Sequence, residues 1–191
     1  MLMATAPGRL PSVVLSVVTP VPQSSFTSEV IIGWFAIPAN DVGPSGSMYT
    51  FAATGLLGFP PGQTITVNVR IGASNSNLSG REIMSTGNFT TTTKAAGRLY
   101  SIDGTVFIGG GGNGTAMGFI NESASSASPP PGAMSAAHPC GATFGVTVTG
   151  TIYIVITARL ANSSSENDAN MQNGTLDGLA QRPRKKRRRS P

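Results

Sequence analysis

The sequence predicts an all-β protein, an antiparallel β-sandwich, from its composition, its short strand-like segments and its lack of helical periodicity. Only 11% of the 191 residues are charged, and the chain contains 24 glycines and 14 prolines. This composition is typical of short strands joined by many turns. Roughly seven to nine segments have strand character, and none has the amphipathic pattern of a helix. Their irregular spacing, without an internal repeat, disfavours propellers and solenoids.

The clearest predicted strand is residues 64–71, where apolar and polar residues alternate. Because a strand turns successive side chains to opposite faces, the four apolar residues are expected in the core and Thr66, Asn68 and Arg70 in water. Other segments are β-branched or alternate in the same way. Further strands are therefore expected at residues 12–19, 29–36, 48–57, 88–93, 98–108 and 115–120, with two more within 142–160 that turn near Gly150.

We expect one β-sandwich domain over residues 12–161, following a flexible N-terminal segment of residues 1–11. Residues 124–137 are rich in Ser, Ala and Pro and are expected to form a long loop. Residues 162–181 are polar and are expected to form a linker. Residues 182–191 are expected to form a disordered basic tail.

The positive charge of the chain is confined to this tail. Residues 1–181 contain six basic and eight acidic residues, whereas residues 182–191 contain seven basic residues and no acidic one. The net charge of +5 therefore divides into −2 for the body and +7 for the tail. Seven like charges in so short a segment prevent packing and keep it in solvent.

Basic segments of this kind bind polyanions, because neutralising phosphates releases condensed counterions. The arginine fork grips phosphate oxygens in pairs and stacks on unpaired bases. We therefore expect the tail to bind nucleic acid, with RNA favoured over DNA. A short exposed basic peptide is also typical of a nuclear import signal, which makes an import receptor a second candidate partner. The expected binding residues are Arg182, Arg184, Lys185, Lys186, Arg187, Arg188 and Arg189.

Other residue patterns that suggest chemistry are incomplete. His138 and Cys140 are the only His and Cys, too few for a structural zinc site, and we expect them where a loop leads into a strand. The glycine-rich residues 109–114 lack the Gly-Lys-Ser/Thr ending of a phosphate loop, so a hairpin connection is expected. No nucleophile motif or acid–base pair stands out. We expect neither a cofactor nor enzymatic activity.

Three carboxylates, Glu166, Asp168 and Asp177, are the remaining candidates for a cation site. Carboxylate oxygens suit Ca²⁺, but the spacing of these residues follows no calcium-loop pattern. We therefore expect these residues to be solvated parts of the linker.

A β-sandwich poor in charge that carries a basic arm resembles the jelly-roll coat proteins of small non-enveloped icosahedral viruses. The resemblance covers residues 12–160 and the arm at residues 182–189, and it rests on architecture and composition. It implies a jelly-roll sandwich, self-assembly into an icosahedral shell, neutralisation of packaged nucleic acid by the arm, and location in the virion. In that family the arm is usually N-terminal, whereas here it is C-terminal.

Two other functions fit parts of the sequence. One is a nuclear accessory protein, acting in the host nucleus or cytoplasm as a monomer or small oligomer, whose sandwich binds a protein and whose tail is only an import signal. The other is a phage-type spike or fibre head or a lectin-like binder, which has no evident use for a basic arm. No membrane partner is expected, because the longest apolar stretches fall short of the ~20 residues of a membrane span, and residues 1–10 do not resemble a signal peptide.

Overall fold

The computed structural model describes residues 13–90, 95–123, 134–162 and 164–179. The expected N-terminal segment 1–11 and basic tail 182–191 lie outside these residues. No helix long and apolar enough to span a bilayer occurs among the described residues. The regular structure of this part of the chain consists of strands. They are β1 Val13–Val17, β2 Thr19–Pro20, β3 Gln23–Ser24, β4 Val30–Ile37, β5 Ser47–Phe59, β6 Thr64–Gly72, β7 Arg81–Ser85, β8 Phe89–Thr90, β9 Ala95–Ile108, β10 Asn113–Ser123, β11 Met134–Gly145, β12 Ile152–Leu160 and β13 Asp168–Leu179.

The strands form two antiparallel sheets that pack face to face, which confirms the predicted antiparallel β-sandwich. The seven-stranded sheet has the order β1-β13-β5-β9-β10-β11, with β3 beside β13. The six-stranded sheet has the order β2-β4-β12-β6-β7, with β8 beside β6. Each sheet turns alternate side chains toward the shared core and the others toward its outer face.

Eight of the longer strands pair in a nested order. β1 pairs with β13, β4 with β12, β5 with β9, and β6 with β7. The first strand of this set thus pairs with the last, the second with the second last, and so on inward. The hairpin of β10 and β11 extends the seven-stranded sheet beyond β9. Because Val13 pairs with Gly178, both ends of the described chain lie at the same end of the sandwich.

Apolar side chains from both sheets form one core. The four apolar residues of β6 that the sequence places in the core are all at most 1% exposed. Across the sandwich, the rings of Phe35 and Phe51 lie with their centroids 6.1 Å apart. The hydroxyl of Tyr100 donates to the sulfur of Met171 at 2.8 Å, and burial raises the pKa of this phenol. Each such buried side chain contributes about 1.5–3 kcal/mol to folding.

The predicted linker at residues 162–181 is wrong for residues 168–179, which form β13 inside the seven-stranded sheet. β13 is hydrogen-bonded to β1 on one side and to β5 on the other. Its residues Ala169, Met171 and Leu176 are buried in the core. A bulge between Met171 and Asn173 interrupts the pairing with β5. An inserted residue shifts the two-residue period, so the sequence of β13 shows no regular alternation.

The segment before β13 is held by buried amides. Gln63 is fully buried, and its Nε2 donates to the carbonyl of Asn162 at 2.8 Å and to Oδ1 of Asn167 at 3.1 Å. Asn167 Nδ2 in turn donates to the carbonyl of Phe26 at 2.9 Å. Buried polar groups with partners on separate elements fix the positions of those elements. The polar residues here therefore join the body of the sandwich instead of forming a free linker.

Two further strands differ from the sequence prediction. β7 is not predicted, because only Ile83 and Met84 of its residues are buried and apolar. β11 begins at Met134, inside the loop expected at residues 124–137, of which residues 124–133 lie outside the described part.

His138 and Cys140 lie within β11, opposite Ile120 and Gly118, so the expectation that they end a loop is wrong. Pairing with the regular strand β10 extends β11 toward its N-terminus, past the point where its own composition indicates a strand. The hairpin connection expected at residues 109–114 is confirmed, and it is shorter than expected, since β9 ends at Ile108 and its partner β10 begins at Asn113.

Candidate functional site

The seven residues predicted to bind nucleic acid lie outside the described part of the chain, and β13 is the strand that precedes them in the sequence. β13 ends at Leu179, whose register partner on β5 is Met48. Arg182 follows this strand end by three residues. β13 itself is paired with β1 on one side and with β5 on the other.

The structure does not bring together the three carboxylates considered as a cation site. Asp168 begins β13 and Asp177 lies near its end, a separation of about 30 Å along the strand at ~3.3 Å per residue. Among the described residues there is no group of three or more His, Cys, Asp and Glu that could hold a metal ion.

The outer face of the seven-stranded sheet contains a groove across β13, β5, β9 and β10, here named the outer groove. It has a volume of about 550 Å³. Its lining combines small side chains on β5 with the larger Met117 and Phe119 on β10. In register, its two rows are Asp177, Thr50, Thr105 and Met117, and Thr175, Ala52, Asp103 and Phe119.

One side of the outer groove is apolar and exposed. Met117 and Phe119 on β10 keep 64% and 51% of their surface accessible. Beyond the groove, Met48 and Phe107 are register partners on the same face and are also exposed. Contiguous exposed apolar side chains on a soluble domain indicate an interaction surface.

The outer groove also contains two carboxylates, Asp103 and Asp177, and its described lining includes no Lys, Arg or His. Asp103 is exposed, whereas Asp177 is partly buried. In the part of the chain that the structure describes, Asp177 Oδ1 is a buried oxygen without a hydrogen-bond donor. A buried acceptor left unpaired costs about 1–3 kcal/mol, so this oxygen marks a place where a donor would bind favourably.

The six-stranded sheet carries a different polar cluster on its outer face, here named the Glu29 network. Arg70 donates through Nε to Glu29 Oε1 at 2.9 Å and through Nη2 to Oε2 at 2.8 Å. Thr157 and Asn68 also donate to Oε1 of Glu29. Ser85 donates to Oδ1 of Asn68 at 2.7 Å. The cluster thereby connects the start of β4 to β12, β6 and β7.

The prediction that Asn68 faces water is wrong, because the Glu29 network covers it and leaves it 6% exposed. Burial by itself would raise the pKa of Glu29, but the hydrogen bonds from Arg70, Thr157 and Asn68 and the charge of Arg70 lower it to about 2. The carboxylate is therefore ionised at neutral pH, and both of its oxygens have donors. This arrangement holds strands together and offers no open group to a ligand.

The outer groove has only a weak signal in the sequence. Within residues 115–120, Met117 and Phe119 fall on the same face as Thr115, while Ala116 and Ile120 fall on the other. Apolar residues on both faces of one strand indicate that its outer face is also apolar. The contribution of Asp103 and Asp177 cannot be read in the same way, because it depends on the register of three further strands.

Comparison with known proteins gives no family. No family model matches the chain, and no curated protein matches it. Among solved structures it is similar to the CBM2 module of the evolved Dit protein of Lactobacillus casei BL23 phage J-1. The identity is 9%, the match covers 85% of this chain and 76% of that one, and the TM-score is 0.37. A likeness at this level carries no argument about function.

Proposed function

We propose that the chain is a viral coat protein that self-assembles into an icosahedral shell and neutralises packaged nucleic acid through its C-terminal tail. The observation that carries the proposal is the attachment of the tail. Seven basic residues begin three residues after the end of β13, a strand paired on both sides within a near-neutral sandwich. Each subunit would thus present a polycation from a fixed point on a rigid body.

The nested strand pairing supports the jelly-roll part of this proposal. A jelly roll consists of eight strands in two facing sheets, and viral capsid domains use it. β1 with β13, β4 with β12, β5 with β9, and β6 with β7 form such a nested set, divided between two sheets. Lectin domains share this architecture, so the basic tail is what favours a coat protein over a lectin-like binder.

The division of charge fits a shell around a polyanion. Residues 1–181 have a net charge of −2, which gives little repulsion when many copies pack together. The tail adds +7 per copy. If all seven residues contact phosphates of a single strand, the logarithm of the binding constant should fall with the logarithm of salt concentration at a slope of about −5. RNA is favoured because arginine stacks on its unpaired bases.

The test compares the full chain with a variant in which the seven basic residues of the tail are replaced by glutamine. The matched control is the double variant Arg81→Gln and Arg159→Gln, which removes two exposed positive charges from the body. Particle size is measured by light scattering and negative-stain imaging, and nucleic acid by the ratio of absorbance at 260 and 280 nm. We expect uniform particles with nucleic acid from the full chain and the control, and none with nucleic acid from the glutamine variant.

Small oligomers free of nucleic acid from all three proteins would overturn the coat-protein proposal. They would leave the nuclear accessory protein, with the tail as an import signal, as the better explanation. If all three proteins form particles with the same nucleic-acid content, only the packaging role of the tail is overturned, and the shell part of the proposal stands.

A further inference from the structure

The lining of the outer groove favours a ligand that carries hydrogen-bond donors and positive charge. Its two carboxylates, Asp103 and Asp177, have no basic residue beside them in the described lining, and Asp177 Oδ1 has no donor there. Phe119 offers an exposed aromatic ring close to Asp103, its register partner. Carboxylates bind guanidinium groups in pairs of hydrogen bonds, and aromatic rings attract cations on their faces. Arginine side chains satisfy all three features.

The segment that begins beside this groove is rich in arginine. β13 carries Asp177 and ends at Leu179, and twelve residues follow it in the sequence. From the end of β13 to Asp103, the register implies about 13 Å along the sheet and about 10 Å across two strands, or about 16 Å in a direct line. The six residues from Leu179 to Lys185 span up to about 20 Å when extended. The basic residues can therefore reach the whole groove.

A second copy of the chain is a poorer occupant. A twofold contact between two outer grooves brings the same surface of both copies together. Such a contact would place Asp103 and Asp177 of one copy near the same carboxylates of the other. Like charges in a desolvated contact repel. Nucleic acid is disfavoured in the groove for the same reason.

We propose that the outer groove binds the basic segment 182–189 of the same copy when no nucleic acid is present. The inference rests on the proposed function and deepens it, because nucleic acid must then displace the segment from Asp103 and Asp177. The groove thus competes with phosphates for the same arginines. It holds the tails against the bodies of free subunits and releases them when a polyanion is available.

The test is zero-length carbodiimide cross-linking of the full chain freed of nucleic acid, followed by peptide mass spectrometry. The chain has only three lysines, Lys94, Lys185 and Lys186, so the links are easy to assign. We expect Lys185 or Lys186 to be joined to Asp103 or Asp177 several-fold more often than to Glu82 or Asp168. Mixing isotope-labelled with unlabelled protein separates links within a copy from links between copies.

Three variants accompany the cross-linking. Asp103→Asn with Asp177→Asn removes the negative charge of the groove, and Met117→Lys adds a positive charge at an exposed position. Glu82→Gln is the matched control, since it removes an exposed carboxylate on the other sheet. Both groove variants should raise trypsin cleavage of the tail about threefold or more and tighten binding of a short RNA oligonucleotide at low salt. The control should change neither.

Links spread evenly over the surface carboxylates, links mainly between copies, or equal cleavage rates in all variants would each overturn the inference. Nucleic-acid-filled particles without these cross-links would overturn the groove proposal and leave the proposed function standing. Groove cross-links in a protein whose variants all fail to bind nucleic acid would overturn the proposed function and leave the groove as a site for the segment.

Discussion

The outer faces of the two sheets carry carboxylates in opposite situations. On the six-stranded sheet, Glu29 receives donors on both oxygens, including a two-point ion pair with Arg70. On the seven-stranded sheet, Asp103 and Asp177 lie in a groove whose described lining has no basic residue, and one oxygen of Asp177 has no donor there. A carboxylate satisfied by its own fold stabilises that fold. An unsatisfied one is available to a partner, and this difference is the basis for the binding face proposed above.

Among the tests of this comparison, Glu29→Ala is expected to change the free energy of unfolding most. It removes the two-point partner of the Arg70 guanidinium, which is only 18% exposed, and leaves it only the more distant carboxylate of Glu82 at 3.8 Å. Breaking a partly buried pair from one side should lower the free energy of unfolding by about 2–3 kcal/mol. Urea denaturation measures the change, with Asp168→Asn as the control for loss of an exposed carboxylate outside the Glu29 network. A midpoint equal to that of the unmodified chain would show that the Glu29 network does not stabilise the sandwich.

A smaller change in the free energy of unfolding is expected when the pH is lowered. The folded protein holds the pKa of Glu29 at about 2, below its ordinary value of 4.5. The unfolded chain therefore binds a proton first as pH falls, so the stabilisation from Glu29 is complete above pH ~5 and declines as pH falls toward ~2. Glu29→Gln should flatten the dependence of unfolding free energy on pH in this range. The difference in unfolding free energy between the unmodified chain and Glu29→Gln should be largest near neutral pH. A difference that stays constant down to pH ~2.5 would contradict the lowered pKa of Glu29.

The smallest change in unfolding free energy is expected from Asp177→Asn. This substitution is made in the variant whose seven basic tail residues are replaced by glutamine. With the tail neutral, Asp177 has no ion pair to lose, and we expect a change in unfolding free energy of less than about 0.5 kcal/mol. Thermal or urea unfolding of the two proteins tests this. A loss near the size of the Glu29→Ala effect would mean that the body itself pairs Asp177, and the contrast between the two faces would disappear.

The sequence predicts the parts of the fold whose alternation is regular. β6 is correct to within one residue, and its apolar residues are buried as expected. β13 escapes prediction because a bulge after Met171 interrupts its period and its outward residues are polar. The burial of Asn68 escapes prediction for another reason: Glu29, which covers it, lies 39 residues away in the chain.

The candidate site divides in the same way. The basic tail is visible in the sequence because its charge is local to residues 182–189. The outer groove is not, because Asp103 and Asp177 come together only through the pairing of β9 with β5 and of β5 with β13. The composition of a charged segment is enough to indicate the class of its partner. A groove requires the register of several strands, which no single segment encodes.

The adjacency of Val13 and Gly178 has a consequence for engineering. Segments fused directly to the start of β1 and to the end of β13 would therefore leave the sandwich at the same end. The β5–β6 turn lies at the opposite end, where Gly62 has open space around it. Peptides inserted beside Gly62 would therefore be displayed at the end of the sandwich opposite to these two strand ends.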